Sequence, residues 1–522
     1  MSESAPLQPP GKARPTWAWL AVSLAGTSAL LAPFALVDVP PVLDYPNHLA
    51  RFFILAHPDD PILSRMYAVH WAVIPNIGMD LVAQALLRVM PIYPVGSLIL
   101  ALSLLSPIVG VLIYARAAFG RWTWWSLGAG VLAYNGIFFM GFMNFLLSLG
   151  VALAGAAAWR VMRRRGLEIR AAVAGAAVGL LAFFCHLFGF AFFALLIAAQ
   201  EAEALWLMRG GGQQTLTRAG RVSVLLAAAL APALLLYVVT RRSALSGDLL
   251  VWRWRAKLVE WLTPGMIYDQ ATTIVTMAVL TALAVLVWRG SQRAGGATWS
   301  MAALAMLYVA APFAIAGGTY VDTRLPLMVA LLLFAGVLPR LSSRMGQAAA
   351  AGLTLLAVAR VAVVAANWHG HAQDLADLRS GLASVRPGAR ILPAQTDFPA
   401  GAPPSAGREL PNFSRTDDNL AAIAVIERRA FWPLQFADPT QQPMVVRAPY
   451  DGLTQALSSP TQWSDLETYP PNPAALVRHR YIANWRSRFD DVLVAGAPPA
   501  RTPPGLTLLH AGAAVSLYRI DR

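Results

Sequence analysis

Charged residues and cysteine are both scarce in this sequence. Charged residues occupy 13% of the 522 positions, against about 25% in a soluble domain. Hydrophobic residues occupy 57%, and the mean hydropathy is +0.53. This composition excludes a soluble globular chain. The single cysteine, Cys185, excludes a disulfide within the chain and any cysteine metal cluster, and we interpret it as a small packed hydrophobe inside a helix.

Several catalytic and architectural signatures are also missing. The sequence has no P-loop, no dinucleotide-binding GxGxxG and no HExxH, so nucleotide-driven and zinc-protease chemistry have no support. It shows no internal repeat, which weighs against the transporter folds that descend from duplicated halves. The first apolar run, 17–37, is too long for a signal-peptide core and lacks a small-residue cleavage site, so we expect it to be retained as a first span.

Apolar runs of about 20 residues recur along the chain, and a helix of that length crosses a bilayer. Basic or Pro/Gly-rich segments separate these runs. We therefore predict a polytopic α-helical membrane protein with about 11 transmembrane helices. The predicted spans are 17–37, 93–115, 122–141, 144–162, 170–186, 188–208, 221–240, 272–289, 299–317, 325–340 and 347–366.

The basic residues predict how the chain is threaded. Nearly all of the 41 basic residues are arginine, and against 27 acidic residues they give a net charge of +14. In a membrane protein this excess indicates orientation by the positive-inside rule and not nucleic-acid binding. If the N-terminus is inside, the arginines of the connections fall on one face. We predict a bacterial inner-membrane protein with a disordered cytoplasmic N-terminus (1–16), a transmembrane domain (17–367) and a periplasmic soluble domain (368–522).

Two regions outside the predicted spans are long enough to fold. The first outer loop, 38–92, contains helix-like pieces at 46–57 and 76–90, which we expect to lie along the membrane surface. Beyond residue 368, leucine spacing predicts a helix over 369–386, and short β-rich runs follow between Pro/Gly turns. These runs are ARILPA, PMVV, YIAN, DVLVAG, LTLLHA and VSLYRI. They predict a soluble α/β or α+β domain.

The segment DYPNHLAR follows the first span and contains the sharpest candidate for chemistry. It places Asp44, His48 and Arg51 on one face if it is helical. The Asp44 carboxylate at the end of a span is positioned to face a water-accessible cavity at the membrane edge. A helix cap is an equally good explanation for Asp44, with Pro46 in the first turn. His48 and Arg51 are candidate substrate-binding residues, or side chains that snorkel to the headgroups.

A second cluster lies in TYVDTRLPL, which forms a predicted outer turn. It contains Asp322 and Arg324, and Pro326 begins the next span. One explanation is an ion pair at the membrane boundary. The alternative is that a buried Arg324 binds a phosphate bidentately, which makes both residues candidates for substrate binding.

The third cluster is the predicted outer loop 241–271, where basic residues alternate with tryptophan. These charges go against the positive-inside bias and so need another reason. Arginine beside tryptophan on an outer surface suits anionic headgroups or a lipid-linked phosphate, although an interfacial aromatic belt with solvated arginines is an alternative. The basic residues are Arg241, Arg242, Arg253, Arg255 and Lys257.

Two polar residues at predicted outer turns are weaker candidates for substrate binding. Asn144 lies in GFMNF and His186 in CHLFG. Each has a structural alternative, which is to satisfy backbone groups where two helices meet. Glu201 and Glu203 lie near the inner end of their span, and we expect them to pair with Arg209 or to face the inner interface.

Taken together, the first-loop acid, the surface helices, the many spans, the Arg324–Pro326 turn and the outer domain resemble the GT-C superfamily. These are integral-membrane glycosyltransferases that use polyprenyl-phosphate-linked sugars. The resemblance implies that Asp44 is the general base or helps to place a metal, and that Arg324 binds the lipid phosphate. The acidic pair common in that superfamily is absent, because Tyr45 follows Asp44. The resemblance allows a divalent metal, but the missing pair weighs against metal dependence, and no cofactor is assigned.

The resemblance implies an inverting transfer at the outer membrane face. Asp44 would take the proton of an acceptor hydroxyl as that hydroxyl attacks the anomeric carbon, and Arg324 and the arginines of 241–271 would stabilise the departing phosphate. The expected partners are a polyprenyl-phosphate-linked sugar, membrane lipids and a glycan, lipid or protein acceptor. The alternatives are a lipid or polysaccharide transporter, for which charges are expected mid-span, and a non-catalytic scaffold whose periplasmic domain binds a partner.

Overall fold

The computed structural model describes residues 14–209, 212–240, 250–315, 318–396, 407–456 and 458–522. Most of the N-terminus predicted to be disordered, together with Arg241 and Arg242, lies outside these residues. The helices are α1 Trp17–Leu31, α2 Tyr45–Ala56, α3 Leu63–Met66, α4 Gly78–Leu86, α5 Ile92–Phe119, α6 Trp124–Leu127, α7 Gly136–Phe139, α8 Met143–Arg164, α9 Glu168–Cys185, α10 Leu187–Leu207, α11 Gln213–Thr240, α12 Lys257–Glu260, α13 Gln270–Trp288, α14 Ala297–Ala310, α15 Leu325–Gly336, α16 Ser343–Leu382, α17 Ala424–Arg428, α18 Pro473–Arg478 and α19 Trp485–Arg488. The strands are β1 Tyr67–Val69, β2 Leu250–Val251, β3 Gln292–Arg293, β4 Ala314–Ile315, β5 Val337–Leu338, β6 Ile391–Gln395, β7 Met444–Val446, β8 Thr461–Gln462, β9 Asp491–Ala495, β10 Leu506–Ala511 and β11 Val515–Ile520.

Within the described residues, eight helices are long and apolar enough to cross a membrane. They are α1 with the 3-10 turn that follows it, α5, α8, α9, α10, α11, α13 and α16. The predicted class is confirmed, because the chain is a polytopic helical membrane protein with a C-terminal sheet region. The predicted count of about 11 spans is not confirmed.

The other three predicted spans form shorter helices. The run 122–141 is divided into α6, a 3-10 turn and α7, because Thr123 and Asn135 cap new helices within it. The helices α14 and α15 have 14 and 12 residues, so they measure about 21 and 18 Å against a hydrocarbon layer of about 30 Å. Ten of the α15 residues are buried. An apolar run enclosed by protein therefore does not need the length of a span.

The bundle has two ends, which we name the Asp44 face and the Arg163 face. Trp19 at the start of α1 donates to the carbonyl of Thr123 (3.2 Å), and the amide of Asp44 donates to the carbonyl of Met140 (3.3 Å). The run 122–141 therefore connects the two faces. At the Arg163 face, Glu201 pairs with Arg163 (2.7 Å). The predicted partner of Glu201, Arg209, instead lies over the ring of Trp206.

The C-terminal region contains a five-stranded mixed sheet in the order β10-β11-β9-β6-β8. β6 is parallel to both of its neighbours, and the other pairs are antiparallel. The helix predicted over 369–386 is the last part of α16, which continues without a break across the predicted boundary at 367. Asp377 of α16 accepts from the amides of Ala514 and Val515, so this helix is fixed directly to the sheet.

The first loop and the C-terminal region are interlocked. β1 of the loop pairs antiparallel with β7, and α2 is buried at ten of its twelve positions. The prediction that α2 lies along the membrane surface is therefore wrong, because protein covers it. The predicted strand YIAN is also wrong, since Arg480–Ile482 forms a 3-10 turn. Short apolar runs do not distinguish a strand from a helical turn.

Candidate active site

Asp44 lies in the turn before α2, and its carboxylate does not cap that helix. It occupies the cap position but makes no side-chain hydrogen bond to the amides of the first turn, so the capping explanation is wrong. Gly141 closes over it with φ +86°, and a Cβ on Gly141 would lie 2.8 Å from the Asp44 Cβ. Only glycine combines this backbone angle with so close an approach.

The Asp44 carboxylate lies in a crevice that water reaches but protein largely surrounds. Asp44 is half-buried, and burial raises the pKa of its carboxyl from 3.8 to about 8. Arg51 and Arg324 oppose this rise, and the charge of Asp418 adds to it. A carboxyl with a pKa near neutrality, between an acid and two cations, is typical of sites that transfer protons.

The second acid of the crevice comes from the C-terminal region. Asp418 is half-buried, and burial, assisted by the charge of Asp417, raises its pKa to about 7. Next to it, Asn419 donates to Asp44 Oδ1 at 3.4 Å and accepts from Asn47 at 2.8 Å. The sequence analysis missed both residues. Nothing in RTDDNL marks them, since adjacent aspartates also occur at 59–60 and 490–491.

Arg324 is a buried guanidinium with no acidic partner among the described residues. Its Cζ atom lies over three rings, at 4.7 Å from the centre of Phe142, 5.1 Å from Phe188 and 5.7 Å from Phe145. It makes no hydrogen bond or ion pair with the described residues. The charges of Arg324 and Asp44 influence one another, so the two clusters that are far apart in sequence are close in space.

Arg324 lacks a carboxylate because Lys257 binds the neighbouring one. Lys257 Nζ donates to Asp322 Oδ2 at 2.6 Å and to the carbonyls of Tyr308 and Ala311 at 2.8 Å each. Both partners of this ion pair are buried. The predicted Asp322–Arg324 pair is therefore wrong. Lys257 and Asp322 bind one another inside the protein, so neither is open to a substrate.

Tyr320 forms one wall of the crevice in a rarely adopted backbone conformation. Its φ is +56°, which is uncommon for an aromatic residue. Its hydroxyl hydrogen-bonds to Ser414, and the charges of Asp44, Asp418 and Arg253 all act on it. Sequence reasoning missed Tyr320, because a left-handed tyrosine leaves no pattern in the chain.

The predicted basic loop reaches the crevice only in part. Arg253 is exposed and lies over the ring of Phe313 at 3.8 Å, and Phe313 contacts Tyr320 (4.9 Å between ring centres). Arg255 is exposed and has no ion pair with the part of the chain that is described. Of the three basic residues of this loop that the structure describes, two are therefore open to solvent.

Arg51 and Asn144 have structural partners. Arg51 holds Asp80 through two bonds, of 2.7 and 3.1 Å, and both side chains are completely buried. The snorkelling alternative for Arg51 is therefore wrong. Asn144 accepts a hydrogen bond from the amide of Met79 and donates one to the carbonyl of Asn76, each at 2.8 Å. It therefore joins α8 to the start of α4, which is the structural role given above as the alternative to substrate binding.

The two candidate histidines lie near different members of the site: His48 lies beside Gly141, which closes over Asp44, and His186 lies within range of the charge of Arg324. His48 hydrogen-bonds to the backbone of Gly141, and burial together with Arg51 keeps its pKa well below the usual value. His186 Nδ1 accepts from the amide of Phe188 at 3.1 Å. The proton of neutral His186 is therefore on Nε2, which makes no hydrogen bond with the described residues. His48 does not snorkel, because it is half-buried against Phe436.

A divalent cation would find few protein ligands here. No group of three or more His, Cys, Asp or Glu within the described ranges has the arrangement of a metal site. Asp44 and Asp418 provide two carboxylates to the crevice. Mg²⁺ is commonly held by one or two carboxylates together with substrate phosphates, so these residues fit a cation that arrives with a phosphate.

No protein-family model matches the chain, and no curated protein matches it. Among solved structures, it is similar to ArnT from Cupriavidus metallidurans bound to undecaprenyl phosphate, with 11% identity and a TM-score of 0.49 over 97% of this chain and 98% of that chain. It is also similar to the arabinofuranosyltransferase AftD from Mycobacteria, with 16% identity and a TM-score of 0.43.

The alignment with AftD covers 98% of this chain and 40% of that protein. With TM-scores under 0.5 and identities under 20%, the similarity carries no information about substrates or catalytic residues.

Proposed function

We propose that this protein is a membrane glycosyltransferase that moves a sugar from a polyprenyl-phosphate donor to an envelope acceptor. The proposed location is the outer face of a bacterial inner membrane, with the N-terminus cytoplasmic and the C-terminal domain periplasmic. One observation carries the proposal. The Asp44 carboxyl does not cap α2, and the Arg324 guanidinium has no ion-pair partner among the described residues. The two groups are close enough for their charges to interact, and they lie at one end of an apolar helix bundle.

In the proposed reaction, an acceptor hydroxyl attacks the anomeric carbon while the bond from that carbon to the phosphate oxygen breaks. Asp44 takes the hydroxyl proton, and the departing phosphate keeps the electron pair. A single displacement of this kind inverts the anomeric centre. Arg324 neutralises the charge that develops on the phosphate. Three phenylalanine rings contact the guanidinium, and its donors have no acceptor among the residues that the structure describes.

The acid–base state of Asp44 limits when it acts. With a pKa of about 8, the carboxyl is mostly protonated at neutral pH and does not accept a second proton. The pKa nevertheless lies close to the working pH, where general bases are most effective. Asp418, with a pKa of about 7, is the nearby acid that raises the pKa of Asp44. We assign it a positioning role, together with Asn419.

The remaining candidates fit around this pair. His186 Nε2 is a free donor beside the phenylalanines that contact Arg324, which suits a donor-phosphate oxygen. Arg253 and Arg255 at the exposed rim suit the same phosphate or neighbouring lipid headgroups. If a divalent cation takes part, Asp44 and Asp418 would hold it together with the donor phosphate, and it would supply further charge neutralisation.

The test compares Asp44→Asn with Asp59→Asn, a control in the same loop with an exposed side chain. A strain lacking the gene is complemented with wild type or with either variant, and its envelope glycans and lipids are analysed by mass spectrometry. We expect Asp44→Asn to match the strain without the gene, since loss of a general base slows transfer by about 10²–10⁴-fold. We expect Asp59→Asn to restore the glycans.

Protein levels in the membrane fraction are measured for each variant. If Asp44→Asn restores the glycans at a normal protein level, Asp44 is not the base and the transferase proposal fails. A transporter or scaffold predicts that outcome, since neither needs this carboxyl to accept a proton.

A further inference from the structure

A cavity of about 870 Å³ lies at the Arg163 face, on the opposite side of the protein from Asp44. It lies between the ends of α8, α9, α10 and α11 and the segment that contains β3. The proposed reaction does not use it. Its lining includes the six arginines Arg160, Arg163, Arg164, Arg218, Arg221 and Arg293.

Three glutamates also line the cavity, and each accepts hydrogen bonds from other groups of the protein. Glu201 accepts from Arg163 at 2.7 and 3.0 Å and from Trp159 at 2.9 Å. Glu168 accepts from the same arginine at 2.7 Å, and Glu203 accepts from a backbone amide. Six arginines and three glutamates leave the lining with an excess of three positive charges, and among the described residues only Arg163 pairs with these carboxylates.

Arg160, Arg218 and Arg221 are three of the lining arginines without an ion pair to a described residue. Arg218 and Arg221 are exposed and form no ion pair with a described residue. Arg160 has only 7% of its surface exposed. It donates to neutral groups, the Tyr114 hydroxyl (3.2 Å) and the carbonyl of Gly295, and its Nε has no hydrogen-bond partner among the described residues. The positive-inside rule explains exposed arginines but not a buried guanidinium without an anion.

The rim of the cavity is apolar where α10 ends and α11 begins. Leu207, which lines the cavity, has 75% of its surface exposed, and the nearby Trp206 and Leu216 have 50% and 68% exposed. These side chains are at the ends of two apolar helices, which is the level of lipid headgroups. The surroundings therefore combine fixed positive charge with a hydrophobic border.

We propose that this cavity binds the headgroup of an anionic phospholipid. The phosphate would accept hydrogen bonds from Arg160, Arg218 and Arg221, since arginine binds phosphate bidentately. The acyl chains would lie against Leu207 and Leu216. Basic pockets between helix ends at a cytoplasmic membrane surface are suited to such headgroups. A free phosphate offers the same oxygens but does not use the apolar rim.

The test uses the purified full-length protein in dodecyl maltoside micelles that contain either dioleoyl phosphatidylglycerol or dioleoyl phosphatidylcholine. Lipid retention is measured by native mass spectrometry and the melting temperature by intrinsic fluorescence. The cavity variant is Arg218→Gln with Arg221→Gln. The matched control is Arg340→Gln with Arg344→Gln, which removes two exposed arginines that do not line the cavity.

We expect phosphatidylglycerol to be retained and to raise the melting temperature of wild type and control. In the cavity variant its binding should weaken about 25-fold, from about fivefold for each arginine. Equal retention of phosphatidylcholine would overturn the proposal, as would equal losses in the two double variants. If inorganic phosphate without lipid reproduces the stabilisation, the ligand is a soluble anion and the lipid assignment fails. None of these measurements depends on sugar transfer.

Discussion

The Arg51–Asp80 pair and the Asp44–Arg324 crevice both involve the first loop, yet their charges are arranged in opposite ways. Arg51 and Asp80 are joined by two hydrogen bonds in a completely buried pair. Asp44 and Arg324 affect one another's pKa, but neither forms an ion pair with any residue that the structure describes. A buried charge without a partner lowers the stability of the fold. Arg324 therefore destabilises the protein in a way that the paired Arg51 does not.

This difference separates residues that hold the fold from residues that are available to a ligand. The sequence places Arg51 and Asp44 in one motif, and charge type alone does not distinguish their roles. The contacts do, since Arg51 pairs with Asp80, whereas Arg324 has no acidic partner within the described ranges. Changes in the two regions should therefore have opposite effects on stability and on activity.

The largest effect is expected from breaking the pair with Asp80→Asn. It leaves the Arg51 guanidinium buried without a counter-charge, so the free energy of unfolding should fall by about 3–5 kcal/mol. Thermal unfolding of the detergent-purified protein measures this loss, and Asp59→Asn should leave the melting temperature unchanged. An unchanged melting temperature for Asp80→Asn would show that the pair does not stabilise the fold.

Arg324→Gln should affect activity and leave stability intact. Losing a donor to the departing phosphate is expected to lower the transfer rate by about 10²–10³-fold. Arg324→Lys should recover only part of that rate, because lysine lacks the planar guanidinium whose paired N–H groups bind two phosphate oxygens at once. The melting temperature should stay the same or rise, since an unpaired buried cation has been removed.

The control for Arg324→Gln is Arg65→Gln, which removes an exposed arginine from the first loop. If Arg324→Gln destabilised the protein as much as Asp80→Asn does, the contrast between the two regions would be lost.

The sequence predicted the bundle well and the crevice only in part. Long apolar runs and the Asp44 and Arg324 motifs are local signals, and each was visible in the chain. Asp418 and Asn419 join Asp44 across more than 370 residues, and such a contact leaves no local pattern. The Lys257–Asp322 pair was missed for a similar reason, because Arg324 is closer to Asp322 in sequence and is the expected partner.

The pH dependence of transfer tests the proposed state of Asp44. Because only the carboxylate accepts a proton, kcat/KM should rise with pH up to the pKa of about 8 and then level off. Below that pKa it should fall about tenfold per pH unit. In Arg324→Gln the midpoint should shift to higher pH, because Arg324 lowers the pKa of Asp44. A rate that does not change between pH 6 and pH 8 would rule out a general base of this pKa.

The smallest effect is expected for Asp418→Asn. It removes a negative charge that raises the pKa of Asp44, so the midpoint of the pH profile should move to lower pH, by less than about one unit. Glu467→Gln, an exposed acid of the same C-terminal region, should leave the midpoint unchanged. A loss of activity in Asp418→Asn without any shift of the profile would instead indicate a steric role.

The 40-residue helix α16 sets both the height of the C-terminal sheet above the bundle and the rotation of that sheet about the helix axis. Over its length of about 60 Å, each residue adds about 1.5 Å and turns the end by about 100°. Inserting one residue would therefore rotate the C-terminal sheet away from the first loop, whereas inserting four would nearly restore the angle and lift Asp418 by about 6 Å. Loops around the bundle tolerate changes in length. The position of the C-terminal crevice acid relative to the bundle, by contrast, depends on the exact number of residues in α16.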